Sequence, residues 1–112
     1  MMLEYANIFM AGIILFVAAN SGGVALWAFR RKDPMHFWAG KEVKPEEITD
    51  IAAYNRENGI MWAIFTASFV VAAVLSLFSV AAGGILVGIL STAGLVILII
   101  VYKKIYGKYE VK

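Results

Sequence analysis

Three long apolar runs leave this chain few ways to fold. Residues 5–29, 60–82 and 85–102 carry no charged side chain. At about 1.5 Å per residue each run approaches or exceeds a hydrocarbon core of about 30 Å. Backbone surrounded by lipid must satisfy its own hydrogen bonds, and a single apolar run does so only as a helix. A soluble alternative fails on composition. The chain has 112 residues, 62% of them hydrophobic, and a domain that small cannot bury so much apolar surface. The expected fold is therefore an all-α membrane protein forming one integral domain. It has three transmembrane helices, at about 5–29, 60–82 and 85–102, and a basic tail at 103–112.

The first run contains Val17-Ala18-Ala19, which looks like a signal-peptide cleavage tripeptide, but no Lys or Arg precedes the apolar stretch. It reads as a retained helix. Its centre, Ala18-Ala19-Asn20-Ser21-Gly22-Gly23, is small and soft. The pairs Ala18/Gly22 and Ala19/Gly23 have the spacing that lets a second helix approach closely. Asn20 is the one strongly polar side chain deep in any run, and its amide needs a partner inside the protein or an oligomer. An interhelical hydrogen bond is the plainer reading, and a lining residue of a polar path the sharper one. In the second run Ala63/Ala67 and Ser68/Ala72/Ser76 give a small-residue face. Ala82-Gly83-Gly84 reads as the turn into the third run, whose Gly84/Gly88 pair is a weak packing signal.

Charge sets the expected orientation. Ten Lys and Arg are present; six lie between Arg30 and Arg56 and four in the tail after residue 102. The N-terminal end and the Gly83-Gly84 turn have none. Basic residues mark the cytoplasmic side, so the N-terminus is expected outside and the C-terminus inside a bacterial cytoplasmic membrane. An odd number of crossings requires the same.

The polar block between the first two runs is where function is sought. Met35, Phe37 and Trp38 return aromatic and apolar surface to the membrane boundary, and Ala39-Gly40 reads as a turn. Lys44-Pro45-Glu46-Glu47 is a helix start, with proline at the first position and acids where the helix dipole favours them. At about 100° per residue, Ile48, Ile51, Ala52, Asn55, Gly59 and Trp62 share one stripe, opposite Glu46, Asp50, Ala53 and Glu57. The block is thus expected to hold a short amphipathic cytoplasmic helix at about 45–58, separate from the second run or continuous with it.

The catalytic inventory is thin. One histidine and no cysteine argue against zinc, and no cofactor is expected. Glu46 and Asp50 could share a hard cation, but the helix dipole explains them as well. The serines lie in the apolar runs and no nucleophile elbow exists. A lipid-headgroup enzyme using His36, Asp50 and Arg56 is the third-ranked reading. The candidate binding residues are His36, Trp38, Asp50, Asn55, Arg56, Asn58, Gly59 and Trp62. Asn55, Gly59 and Trp62 are the most suggestive, either as a tie holding the loop under the bundle or as a headgroup or peptide pocket.

The block HFWAGKEVKPEEITDIAAYNRENGIMW resembles that of small membrane proteins of Gram-positive bacteria sharing an HFWxG…I-x-D…YNRxNGxMW signature after their first helix. That resemblance implies a three-helix layout and brings no assigned activity. A looser similarity is to SdpI-like immunity and signalling proteins, which also place a glycine turn, a short acidic helix and an Asn…Gly pair before a span. The basic residue and threonine expected just after the glycine are absent from Gly40-Lys41-Glu42-Val43. The first expectation is a non-enzymatic accessory, regulatory or immunity-like protein that contacts another membrane protein or a peptide through this loop. The alternative is a homo-oligomeric channel or small transporter, suggested by Asn20, Ser21, Ser91 and Thr92. Its other partner is the lipid bilayer; a net charge of +2 gives no case for nucleic acid.

Overall fold

A computed structural model describes residues 5–35 and 43–111. Among them the chain is all-helical, with three helices long and apolar enough to cross a membrane. The first, α1 (Tyr5–Arg30), runs antiparallel to α2 (Ile51–Phe78) and packs along it. The third helix is one continuous rod, Val80–Tyr109. Within it, α3 (Val80–Ile89) and α4 (Leu95–Tyr109) are joined through a single wide π-helical turn, Leu90–Gly94.

Small side chains bring α1 and α2 together. Ala11, Ile14 and Ala18 of α1 meet Phe69, Ala72 and Ala73 of α2 in one buried cluster. One turn further on, Ser21 Oγ and Thr66 Oγ1 lie 2.8 Å apart in a hydrogen bond between the helices. A Cβ added to Gly22 would touch Thr66 Cγ2 at 3.4 Å, so the glycine faces α2 at this crossing. This contact corrects the expectation for Asn20. The interhelical bond is made by its neighbour Ser21, while Asn20 points away from the bundle and donates to its own helix at Phe16 O, 2.8 Å. One residue is about 100° of helix, and α1 is apolar on every side, so nothing in its pattern fixes the rotation.

The reversal into the third helix also differs from expectation. It falls at Ser79, where the backbone is extended, and not at Gly83-Gly84. Ser79 Oγ accepts the Ala82 N–H at 3.1 Å, capping α3. Gly83 instead lies inside α3 and against α2. An added Cβ would sit 2.5 Å from Ser76 Cβ and 2.8 Å from Ser76 Cα, so only glycine permits the tight hairpin. Asn7 secures the same end by donating to the carbonyls of Ser76 at 2.9 Å and Leu77 at 3.3 Å, among the last acceptors of α2.

Among the described residues a separate amphipathic helix between the first two spans is not found. Residues Pro45–Glu47 make a single 3-10 turn, and Ile48 is extended, in an isolated antiparallel bridge with Glu110. Helix resumes at Ile51 and runs unbroken to Phe78. The cause is pairing with the C-terminal strand-like end. Thr49 N donates to Tyr109 O at 2.7 Å, and Val111 N to Glu47 O at 2.7 Å. Those bonds hold Ile48 extended, and Asp50 Oδ1 restarts the helix by accepting the Ala53 N–H at 3.1 Å. Glu46 and Asp50 therefore do not share a helix face.

Candidate functional site

Most of the polar side chains that bond between elements converge at one end of the molecule. There the last turn of α1, the first turns of α2 and the last turns of α4 meet. At 28 residues, α2 is about 42 Å long, and the third helix, at 30 residues, about 45 Å. Both exceed a hydrocarbon core of about 30 Å, and their overhang forms a cap beyond the membrane.

Asn55 is the centre of this cap. Its side chain is almost fully enclosed and makes three hydrogen bonds to the chain leaving α1. Oδ1 accepts the Met35 N–H at 2.7 Å, and Nδ2 donates to Asp33 O at 2.8 Å and Arg31 O at 3.2 Å. A helical asparagine thus replaces the partners that this irregular segment lacks once α1 ends. Arg31 Nε closes the turn on Pro34 O at 3.1 Å, and its guanidinium lies 4.6 Å from the centre of the Trp27 ring. Pro34 and Met35 are both buried. Gly59, one turn after Asn55, makes room for α1. A Cβ there would lie 2.9 Å from two atoms of the Phe29 ring.

The other flank of α2 is covered by tyrosines. Tyr54 is fully buried, donates to Met35 O at 2.9 Å, and shares a second hydrogen bond, also 2.9 Å, with the Tyr102 hydroxyl. The rings of Tyr102, Tyr106 and Tyr109 surround it with centroids 6.4 to 6.5 Å away, all steeply inclined to its plane. Tyr106 donates to Glu47 Oε1 at 3.0 Å, while the other carboxylate oxygen of Glu47 accepts the Lys44 N–H at 2.6 Å. Tyr109 donates to Glu57, which also faces Lys108 Nζ at 3.3 Å. The Lys108–Glu57 pair is exposed and adds little by itself.

The candidate residues divide clearly. Asp50, Asn55, Asn58 and Gly59 lie in the cap, with Asp50 exposed as the helix cap and the other three buried. Arg56 is exposed on the outer face, and Trp62 is half-buried with its ring edge-on to Phe65 at 5.9 Å. Asn58 is fully enclosed; its Nδ2 donates back to Tyr54 O at 2.9 Å, and its Oδ1 meets no donor among the described residues. His36 and Trp38 lie outside the described residues. The stripe projected from the sequence also rotates. Ala53 and Tyr54 are buried along with Asn55 and Gly59, because α1 covers one flank of α2 and α4 the other.

The sequence expectations did not include the tyrosines. Their positions, 102, 106 and 109, follow the i, i+4, i+7 spacing of one helix face. That spacing was the available signal for a packed face. Among the described residues no group of acids or histidine could hold a metal ion. Along the spans, α2 and α4 diverge to leave an open cleft of about 470 Å³, lined by Ile64, Phe65, Leu90, Gly94 and Leu98, with Glu57 at its mouth.

Comparison with known proteins leaves the class of molecule as the fold defines it. The chain matches no protein-family model, no curated protein and no solved structure.

Proposed function

We propose that this chain is a small accessory protein of the bacterial cytoplasmic membrane, which presents the segment 36–42 to another membrane protein or a peptide. The observation that carries the reading is that both ends of that segment are fixed on one base. Met35 is held through its N–H by Asn55 and through its carbonyl by Tyr54. At the far end Val43 is buried in the same apolar cluster as Met35 and Tyr54, and Lys44 is bonded to Glu47. The buried polar groups of the base are largely turned inward to build it. The sequence between the fixed points contains His36, Phe37, Trp38, Lys41 and Glu42, an aromatic and charged set suited to protein contact. The distribution of Lys and Arg supports a cytoplasmic position for this cap, with the N-terminus outside. The Gram-positive resemblance is in keeping with that placement.

The test is a photo-crosslinking residue at Trp38 in native membranes, followed by detergent extraction and capture. The expected result is an adduct with a distinct protein, lost when Asn55→Leu releases the Met35 end of the segment. Recovery of the chain alone, under extraction that keeps known complexes intact, overturns the reading.

A further inference from the structure

The polar side chains within the spans satisfy themselves in different degrees. Ser68 donates to Ile64 O at 3.0 Å and Thr92 to Gly88 O at 2.7 Å, so each hydroxyl hydrogen is used within its own helix. A carboxamide cannot be satisfied this way, because it has two N–H donors and an acceptor. Asn20 uses one N–H on Phe16 O and has no other partner among the described residues. It lies ten residues before Arg30, about 15 Å along the helix, near the middle of a hydrocarbon core of about 30 Å. Lipid offers it nothing, so a free N–H and a free carbonyl oxygen stand exposed to hydrocarbon at considerable cost.

We infer that the outward face of α1 around Asn20 is an interface with a second copy of this chain. The face that points away from α2 carries Phe16, Asn20, Gly23 and Trp27, all exposed, with Gly12 and Ala19 beside them. A Cβ at Gly12 or Gly23 would meet nothing within 4 Å, so the backbone there is open to close approach from outside. Gly22, by contrast, is already used against α2. The occupant follows from the amide's chemistry. Two copies inserted the same way bring Asn20 to the same depth, and the free N–H and free carbonyl of each amide complement those of the other. A two-fold axis then makes both bonds at once, which is the commonest closed symmetry for identical subunits. A different partner would need a polar group at that depth; the second copy supplies one by construction.

The test uses the full chain in liposomes, with donor- and acceptor-labelled copies mixed over falling protein-to-lipid ratios. The chain has no cysteine, so single cysteines can also be placed without background. The wild type is expected to dimerise, Asn20→Leu to weaken the dimer about tenfold, and Asn20→Gln to restore most of it. Membrane-permeant oxidation should link Phe16→Cys copies and spare Thr92→Cys copies, since Thr92 is exposed on the third helix. Asn20 is exposed and bonds only to its own helix among the described residues, so helicity and unfolding of Asn20→Leu should match wild type and exclude misfolding. A monomer at every ratio, a dimer indifferent to Asn20→Leu, or equal linking through Thr92→Cys overturns the inference. So does a foreign protein that Asn20→Leu releases while the purified chain stays monomeric.

Discussion

Replacing Asn55 with leucine should detach the segment after α1 from the bundle while leaving the spans packed. Leucine is close in volume, so the change deletes polar function and opens no large cavity. Three hydrogen bonds are lost, to Met35 N, Asp33 O and Arg31 O. Each contributes about 0.5–1.5 kcal/mol net, and the buried Met35 N–H left without an acceptor adds about 1–3 kcal/mol unless water reaches it. Relaxation of the loop toward solvent recovers part of that sum, so we expect a loss of about 3 kcal/mol. Asn55→Asp at neutral pH should cost at least as much. It keeps an acceptor for Met35 N–H but sets a carboxylate against two carbonyl oxygens. Acidification, by protonating that carboxyl, should return one donor and narrow the deficit. Reversible unfolding in mixed micelles, followed by tryptophan fluorescence, measures the stability. Amide exchange at residues 31–35 separates local opening from global loss. A change in stability below about 0.5 kcal/mol, with exchange at Met35 unaltered, would refute the claim that Asn55 holds this segment.

Gly83→Ala should separate α2 from α3, because its Cβ would fall 2.5 Å from Ser76 Cβ. We expect about 2–3 kcal/mol of destabilisation by the same titration, with Gly88→Ala, in open space, near neutral. Tyr54→Phe removes hydrogen bonds to both Met35 O and Tyr102 from a fully buried site and should cost about 1–3 kcal/mol, with faster amide exchange at both Met35 and Tyr109. Ser79→Ala loses the cap on Ala82 N and should cost about 1 kcal/mol, which Ser79→Asp at that position largely restores.

The spans were legible because apolar backbone in lipid has one local solution, and each run supplies it without help from the rest of the chain. Rotation and turns were not. On α1 the choice between Ser21 and Asn20 as the inward polar residue depends on where Thr66 stands on α2, and no pattern within α1 records that. The glycines at 83 and 84 looked like a turn because glycine serves both turns and close approach. The actual reversal rests on a serine cap, inconspicuous among other small residues. The start of the loop helix was misplaced for a different reason. Pro45 and the acids after it do begin a helical turn, but residues 47–49 pair with 109–111, about 60 positions away, and the pairing overrides local preference. Asn55 was readable as a tie because a lone amide on an otherwise apolar helix face must meet something; its three partners were not.

The two polar centres also differ in what they imply. At the cap, Asn55, Tyr54, Glu47 and Glu57 find partners within one chain. At Asn20 the chain leaves an amide incomplete in the one environment where water cannot complete it. A cap beyond the membrane can tolerate an exposed polar group at almost no cost, so exposure there carries no message about assembly. In hydrocarbon the same exposure is unfavourable, which is the ground for the pairing inferred through α1. The proposed recognition by the loop and the inferred pairing through α1 rest on different residues, so a substitution at Asn20 should leave Trp38 crosslinking to a partner intact if that contact needs only one copy.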